Sequence, residues 1–206
     1  MPTLLCINGS LRGALGNTAR LLEIAAGHAA GHTVRHLVLA AYRDSSEALL
    51  EEVAGADAFL VGSGVYWGAY GSPLQRFIEV MTAYETTPVF FGKPAGAVLS
   101  MDSVGGTDVA ARLLGVLNLF GCAVPPLGCV VLSRLGQHDA PAGTRARDVW
   151  GLDDLRVLVG NLLRATGARV NWERWEVQPT APVTGPYPAA GPLHIDGAAW
   201  VTKPDA

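Results

Sequence analysis

The chain has 206 residues, of which 50% are hydrophobic and 16% are charged, and its formal net charge is −3. This length and composition are typical of one globular domain with a substantial buried core, and they exclude an intrinsically disordered chain. The weak negative charge, without a cluster of basic residues, argues against a nucleic-acid-binding surface, and no apolar run approaches the ~18 residues that a membrane helix needs.

Strand-like and helix-like segments alternate along the chain. Apolar runs predict five strands, at residues 4–7, 33–39, 56–62, 93–100 and 123–132. Amphipathic stretches predict five helices. Three of them occupy residues 45–54, 107–120 and 153–166, and the other two begin near residue 18 and at residue 72. This alternation predicts an α/β fold, a doubly wound five-stranded parallel sheet in a three-layer sandwich, whose ligands bind beyond the carboxyl ends of the strands.

The helix that begins at residue 72 has specific start signals. Ser72 is predicted as its N-cap, Pro73 as its first helical residue and Gln75 as the partner that completes a capping box. Its buried stripe is predicted to consist of Leu74, Phe77, Ile78 and Met81.

Two segments fall outside the alternating pattern. Residues 133–151 form a charged loop with glycine and proline, longer than is usual in a compact domain and therefore functional or mobile. Residues 176–206 are too rich in proline and glycine for a helix, and we assign them to an extended C-terminal arm that follows a domain of residues 1–175. The arm is predicted to lie across the domain edge or a neighbouring subunit, because it carries an apolar patch of Leu193, Ile195, Trp200 and Val201. A disordered tail is the alternative.

Three loops at the carboxyl ends of the predicted strands carry the candidate chemistry. The first, residues 8–17, leads into a helix N-terminus, whose free N–H groups and positive dipole end favour a phosphate group. It lacks both the GxxxxG-Lys-Ser/Thr and the GxGxxG patterns, so neither a nucleoside-triphosphate site nor a dinucleotide fingerprint is predicted. The second loop, residues 63–72, is rich in aromatic residues and glycine, and the third, residues 100–107, is glycine-rich. Together they describe a site for a planar heterocycle with a phosphate tail.

The motifs of these loops resemble those of the NADPH-dependent FMN reductases and their flavodoxin-like relatives. The matching segments are Gly9-Ser10-Leu11-Arg12 with Gly16-Asn17-Thr18, then Gly64-Val65-Tyr66-Trp67-Gly68, and Asp102-Ser103-Val104-Gly105-Gly106. The resemblance covers about residues 3–166 in the same order. The chain departs from the family in having Gly64 for the usual proline, Gln75 for lysine and Glu79 for aspartate.

The resemblance implies FMN as cofactor and assigns its contacts. The FMN 5′-phosphate is expected to bind Ser10, Arg12, Asn17 and Thr18. The flavin edge that carries N5 and O4 is expected to meet the backbone of Val65, Tyr66, Trp67 and Gly68. The pyrimidine side is expected to be lined by Ser100, Ser103, Val104, Gly105 and Gly106. The structural alternatives are an ordinary strand-to-helix turn for the first loop, surface or dimer packing for the aromatic residues, and a plain helix entry for the two glycines.

The resemblance also implies an activity. NADPH or NADH is expected to pass hydride to FMN, and a small acceptor (free flavin, quinone, azo or nitro compound) to take it in a ping-pong cycle. No side chain is needed as a general acid or base, so no catalytic residue is assigned. A homodimer or homotetramer with a two-fold axis is expected. The alternatives are a flavodoxin-like electron-transfer protein without NAD(P)H activity, which the weak net charge disfavours, and a family member that has lost FMN.

The remaining polar and thiol groups predict no further site. Cys6, Cys122 and Cys129 form no CxxC pair and lie in or beside apolar runs, which predicts buried, reduced thiols and a cytoplasmic protein without a signal peptide. His28, His32 and His36 are spaced by four residues, but a metal site is disfavoured because glycines interrupt any helix that they could share. Arg145 and Arg147 could contact the NADPH 2′-phosphate, but a solvated loop is favoured for them.

Overall fold

The computed structural model describes residues 1–134, 150–168 and 170–187. The strands in these residues are β1 (Thr3–Asn8), β2 (Thr33–Val38), β3 (Ala58–Tyr66), β4 (Ala69–Tyr70), β5 (Ala95–Met101) and β6 (Cys129–Ser133). The α-helices are α1 (Asn17–Gly27), α2 (Ser46–Ala54), α3 (Ser72–Met81), α4 (Gly106–Leu119) and α5 (Asp154–Ala165).

Five of the strands form one parallel sheet in the order β2-β1-β3-β5-β6, and β4 pairs only with β3. The chain moves outward from β1 to β2 on one side and then returns to β3 on the other, so the carboxyl ends of β1 and β3 form the switch point of a doubly wound sheet. The predicted flavodoxin-like, three-layer α/β fold is confirmed.

The inner strands β1, β3 and β5 bury residues on both faces, as their continuous apolar runs predict, whereas the edge strand β2 is largely exposed or only partly buried. In β1, Leu5 and Ile7 pack with residues of α2, α3 and α4, whereas Leu4 and Cys6 pack with residues of α1 and α5. Among the residues that the structure describes, three helices therefore cover one face of the sheet and two cover the other, and the carboxyl edge is left to the loops.

The sequence predicts a loop over residues 63–72, and this is wrong for most of the segment. Strand β3 continues to Tyr66, and β4 returns antiparallel to it with Tyr66 opposite Ala69 and Val65 opposite Tyr70. The segment forms a hairpin because its valine and tyrosines are good strand formers on either side of a two-residue turn.

Two further boundaries differ from the predicted ones. Helix α3 is capped by Gly71, whose carbonyl accepts N–H groups from Leu74 and Gln75, so the predicted Ser72 cap is wrong. The buried stripe of α3 includes Val80, whereas Ile78 is only partly buried. Strand β6 begins at Cys129, not at the predicted residue 123, because the two prolines that follow Val124 interrupt the sheet.

The part of the C-terminal arm that the structure describes is fixed against the start of α2. The Gly185 N–H lies 3.1 and 3.2 Å from the two carboxylate oxygens of Glu47, and the Tyr187 N–H donates to the Asp44 carbonyl at 2.9 Å. The Tyr187 ring is buried and makes an edge contact with Tyr42. Residues 135–149 of the predicted long loop, and the four apolar residues of the tail, lie outside the described residues. The division of the chain at residue 175 stays a prediction.

Candidate functional site

The three loops meet around a cavity of about 190 Å³ at the carboxyl edge of β1, β3 and β5. The predicted site residues that line it are Ser10, Arg12, Asn17, Thr18, Val65, Tyr66 and Ser100. The others, Trp67, Gly68, Ser103, Val104, Gly105 and Gly106, lie outside its lining. The additional lining residues, which the sequence analysis did not assign, are Gly16, Gly64, Met101, Asp102 and Arg134.

The first loop is shaped by the side chain of Asn8, the last residue of β1. Its amide nitrogen donates to the Gly13 carbonyl at 2.9 Å, and its amide oxygen accepts the Ser10 N–H at 3.0 Å. These bonds fold the chain into a tight turn that leads to α1. Sequence analysis missed Asn8 as a positioning residue, although an Asn followed by glycine at a strand end is a signal for such a turn.

The N-terminus of α1 faces the cavity, and no acceptor among the described residues bonds to its first N–H groups. Its cap residue, Gly16, supplies no side-chain hydrogen bond, and the first turn contains no acidic residue. The hydroxyl-bearing residues Ser10 and Thr18 and the guanidinium-bearing Arg12 line the same cavity. Uncapped N–H groups, the positive end of a helix dipole and a cation together make a site for an anion.

The hairpin is tied to the first loop through Tyr66. The Leu11 N–H donates to the Tyr66 hydroxyl at 3.3 Å. The Tyr66 ring folds back over Gly64, where an added Cβ would lie 2.9 Å from the hydroxyl oxygen. The proline that is usual in the family at this position would collide with the Tyr66 ring. The ring can therefore take this position only because residue 64 is glycine.

A second link joins the first loop to the start of α3. An added Cβ at Gly71 would lie 2.5 Å from the Gly9 carbonyl oxygen, and one at Gly9 would overlap Leu74 Cβ. The two backbones therefore touch directly. Buried Ser63 supports this contact, since its hydroxyl accepts the Gly71 N–H at 2.9 Å and donates to the Gly64 carbonyl at 3.0 Å. Sequence analysis did not identify Ser63, because its role depends on a residue eight positions away.

The third loop is joined to the first by a hydrogen bond of 3.2 Å between the hydroxyls of Thr18 and Ser100. Gly105 has a φ of 86° at the cap of α4, and a Cβ added at Gly106 would overlap the side chains of Val131 and Met101. Both positions therefore require glycine at the helix entry, and the contact of their backbone with the flavin stays a prediction. Asp102 lies 3.4 Å from Arg134 in an exposed ion pair, a kind that contributes little stability.

The tip of the hairpin is unusual. Trp67 and Gly68 form the two-residue turn with φ values of 49° and 76°, so both lie in the left-handed region. The Trp67 side chain has a relative exposure of 104%, which means that no described residue covers it. A left-handed conformation costs a residue with a side chain about 1–2 kcal/mol.

The thiols are free, as predicted, but they differ in burial. Burial raises the pKa of Cys6 and of Cys122 to about 12, and it also raises the pKa of the partly buried Cys129. The prediction that all three are buried is therefore wrong for Cys129, which lies at the start of β6 near the opposite end of the sheet from the cavity.

Two further groups of findings concern ligands and location. Within the ranges that the structure describes, no group of three or more His, Cys, Asp or Glu residues is placed to hold a metal ion. No helix in the described part of the chain combines the length and hydrophobicity needed to cross a membrane. Arg145 and Arg147, considered above for the NADPH 2′-phosphate, lie outside the described residues.

Comparisons with known proteins give one family and one fold. A family model described as NADPH-dependent FMN reductase matches residues 2–136. Among curated proteins, no match was found.

Solved structures share the fold at low sequence identity. RosB with the bound intermediate 8-demethyl-8-formylriboflavin-5′-phosphate is 15% identical with a TM-score of 0.66, over 98% of this chain and 100% of that one. An NADH:FMN oxidoreductase, EMOB, is 19% identical with a TM-score of 0.60, over 81% of this chain and 89% of that one. An NADPH-quinone reductase from P. pentosaceus is 17% identical with a TM-score of 0.53, over 82% and 100%.

Proposed function

This chain belongs to the NADPH-dependent FMN reductase family, and we propose that it is an FMN-dependent NAD(P)H oxidoreductase that reduces a small acceptor. When bound, FMN supplies the redox chemistry by taking hydride from the nicotinamide and giving it to the acceptor. The protein's own residues bind and orient the reactants. The observation that carries the proposal is the anion site at the uncapped start of α1, directly beside the hairpin of β3 and β4.

The residues of the cavity fit the phosphate end of FMN. Arg12 would supply a charge, Ser10 and Thr18 hydroxyl donors, and Asn17 the first N–H of α1. The cavity of about 190 Å³ is smaller than the about 300–1,000 Å³ typical of sites for drug-sized ligands. It therefore has room for the phosphate end, and we place the flavin ring on the open edge of the sheet, over the hairpin and the third loop.

On that open edge, the expected contacts with the flavin ring come from backbone groups more than from side chains. We propose that the backbone of Val65, Tyr66, Trp67 and Gly68 meets the ring edge with N5 and O4, and that the third loop meets its pyrimidine side. Backbone N–H groups that point at the ring would stabilise negative charge there, as in an oxyanion hole. No residue is assigned as a general acid or base, since none is needed for hydride transfer.

The proposal is tested with the purified full-length protein. We expect added FMN to bind with quenching of its fluorescence, and NADPH or NADH to be oxidised steadily when a quinone is present. For a ping-pong cycle, in which the nicotinamide leaves before the acceptor enters, double-reciprocal plots at several quinone concentrations are parallel. FMN binding without NAD(P)H oxidation would instead support an electron-transfer protein. Absence of FMN binding would support a member that has lost the cofactor.

Assembly into a homodimer or homotetramer is part of the proposal. Each of the three loops that meet at the cavity carries exposed apolar side chains, namely Leu11 and Leu15, Trp67, and Val104. A second copy related by a two-fold axis would cover part of this exposed apolar area. A monomer in light scattering at micromolar concentration would contradict this. A cytoplasmic location is also proposed, supported by the three free cysteines.

A further inference from the structure

The described part of the C-terminal arm holds the segment that connects β2 to α2. The Gly185 carbonyl accepts the Ser46 N–H at 2.8 Å, and the Gly185 N–H lies 3.1 Å from one carboxylate oxygen of Glu47. The Tyr187 N–H donates to the Asp44 carbonyl at 2.9 Å. The arm therefore bonds an N–H group at the start of α2 that has no partner within the helix.

The side chain of Tyr187 continues this attachment into the core. It is only 4% exposed, and its ring meets the ring of Tyr42 edge-on, with 5.6 Å between the two centroids. The Tyr187 hydroxyl has no hydrogen-bond partner among the described residues. Tyr187 therefore supports Tyr42 through its ring and not through its hydroxyl.

On its other side, the connecting segment supports the first loop of the candidate site. The Tyr42 N–H closes a short 3-10 helix, Leu39–Ala41, that directly precedes it. A Cβ added at Gly13 would lie 3.4 Å from Val38 Cγ1 and 3.6 Å from Ala40 Cβ, so these two side chains pack against Gly13. Gly13 is accordingly buried.

The shape of the anion site depends on Gly13. This residue has a φ of 51°, and its carbonyl accepts both the Asn8 side-chain amide at 2.9 Å and the Gly16 N–H at 3.3 Å. Gly16 is the cap of α1, and the N-terminus of α1 forms the anion site together with Arg12. A shift of Gly13 therefore moves the cap and changes the arrangement of the groups that face the anion.

We propose that Tyr187 is a positioning residue for the FMN phosphate, and that it acts through Tyr42 and the short helix that packs against Gly13. The first loop is the part of the site that would bind the phosphate, so the effect of Tyr187 concerns this group and not the flavin ring. The inference rests on the proposed function, and it gives the C-terminal arm a role in cofactor affinity.

The test compares two flavins that differ only in the phosphate, riboflavin and FMN. Their Kd values are measured by quenching of flavin fluorescence, and the readout is the Kd of riboflavin divided by the Kd of FMN. A general loss of stability weakens both flavins alike and leaves this ratio unchanged. For Tyr187→Ala we expect the ratio to fall about three- to tenfold, as coupling through packed side chains allows. Tyr187→Phe keeps the ring and should retain the wild-type ratio.

Two further variants separate positioning from stability. Phe120→Ala is the matched control, because it also removes a buried aromatic ring. Phe120 follows the end of α4, and α4 begins at the carboxyl edge of the sheet, so this ring lies at the edge opposite to the cavity. Phe120→Ala should lower Tm without changing the ratio. Glu47→Ala removes an exposed acceptor of the arm and leaves the core intact, so it provides the same test if Tyr187→Ala does not fold. Its ratio should fall by a smaller factor.

The outcomes distinguish this inference from the proposed function. A wild-type ratio in both Tyr187→Ala and Glu47→Ala, or an equal fall in Phe120→Ala, would overturn the inference while the proposed function stands. The expected fall in a protein that does not oxidise NADPH or NADH would support the inference and overturn the proposed function alone. Failure of the wild-type protein to bind FMN would overturn both.

Discussion

Replacing Gly71 by alanine tests whether the candidate site is held together by direct contact between backbones. Gly71 has φ −63° and ψ 147°, a conformation that alanine adopts without strain. The cost of the substitution is therefore steric. The new Cβ would lie 2.5 Å from the Gly9 carbonyl oxygen and 3.4 Å from the Leu11 nitrogen, both in the first loop. Backbone atoms cannot rotate away as a flexible side chain can.

The expected magnitude follows from this overlap. Forcing an extra carbon into a well-packed region costs about 1–3 kcal/mol. In a protein of this size, each kcal/mol corresponds to a change of about 2–4 °C in Tm, so we expect Gly71→Ala to lower Tm by about 2–12 °C. Because the first loop must move to relieve the overlap, FMN should also bind more weakly.

Gly115→Ala is the matched control, because it makes the same chemical change in the exposed middle of α4. No atom lies within 4 Å of the Cβ that it adds. Alanine is the better helix former by about 0.5–1 kcal/mol, so Tm should rise in this variant. Thermal unfolding followed by circular dichroism and FMN titration followed by fluorescence are measured on both variants. If Gly71→Ala is as stable as wild type, or shifts Tm in the same direction as Gly115→Ala, the backbone contact does not exist as described.

Three further changes test other parts of the structure. Arg12→Ala should weaken FMN binding about tenfold to hundredfold, because a hydrogen bond to a charged group is worth about 1.5–3 kcal/mol. The control Arg20→Ala removes an arginine outside the cavity lining and should leave the affinity near that of wild type. Equal effects of the two substitutions would disprove the phosphate assignment. Truncation after residue 176 removes buried Tyr187 and should lower Tm, and unchanged Tm, oligomeric state and acceptor kinetics would leave the arm without a role. An aromatic disulfide reagent at pH 8 should react in the native protein with Cys129 only, because Cys129 is partly exposed whereas Cys6 and Cys122 are buried, and burial raises the pKa of these two thiols to about 12. The reaction should be slow, since partial burial also raises the pKa of Cys129, and rapid reaction of all three thiols would contradict this burial.

The sequence predicted the sheet because strand-like and helix-like periods alternate over most of the chain, and this alternation permits few topologies. It did not predict the hairpin, because glycine and aromatic residues between two regular elements also fit a loop. It misplaced the cap of α3 at Ser72, because serine is a favoured cap residue. The cap is Gly71 instead, since a residue with a side chain at that position would overlap Gly9. That preference depends on a contact between residues 62 positions apart, and no local pattern records it.

The candidate site shows the same division. Ser10, Arg12, Asn17 and Thr18 were predicted together because they share one short motif, and they line one cavity. Asn8 was missed although an asparagine followed by glycine at a strand end is a local signal for such a turn. Ser63 was missed because its hydrogen bond reaches a residue eight positions away, and no local pattern indicates that contact.

The two ends of the candidate site differ in how they are held, and this difference predicts which substitutions weaken FMN binding most. The phosphate end is preorganised, since Asn8, Tyr66 and the Thr18–Ser100 hydrogen bond fix the first loop without any ligand. A preorganised anion site loses little entropy on binding, so affinity for FMN should reside mainly there. The tip at Trp67 has no such support, because its side chain is fully exposed in the described part of the chain. Substitution of the Trp67 side chain should therefore change the affinity for FMN less than Arg12→Ala does, as measured by fluorescence titration of both variants.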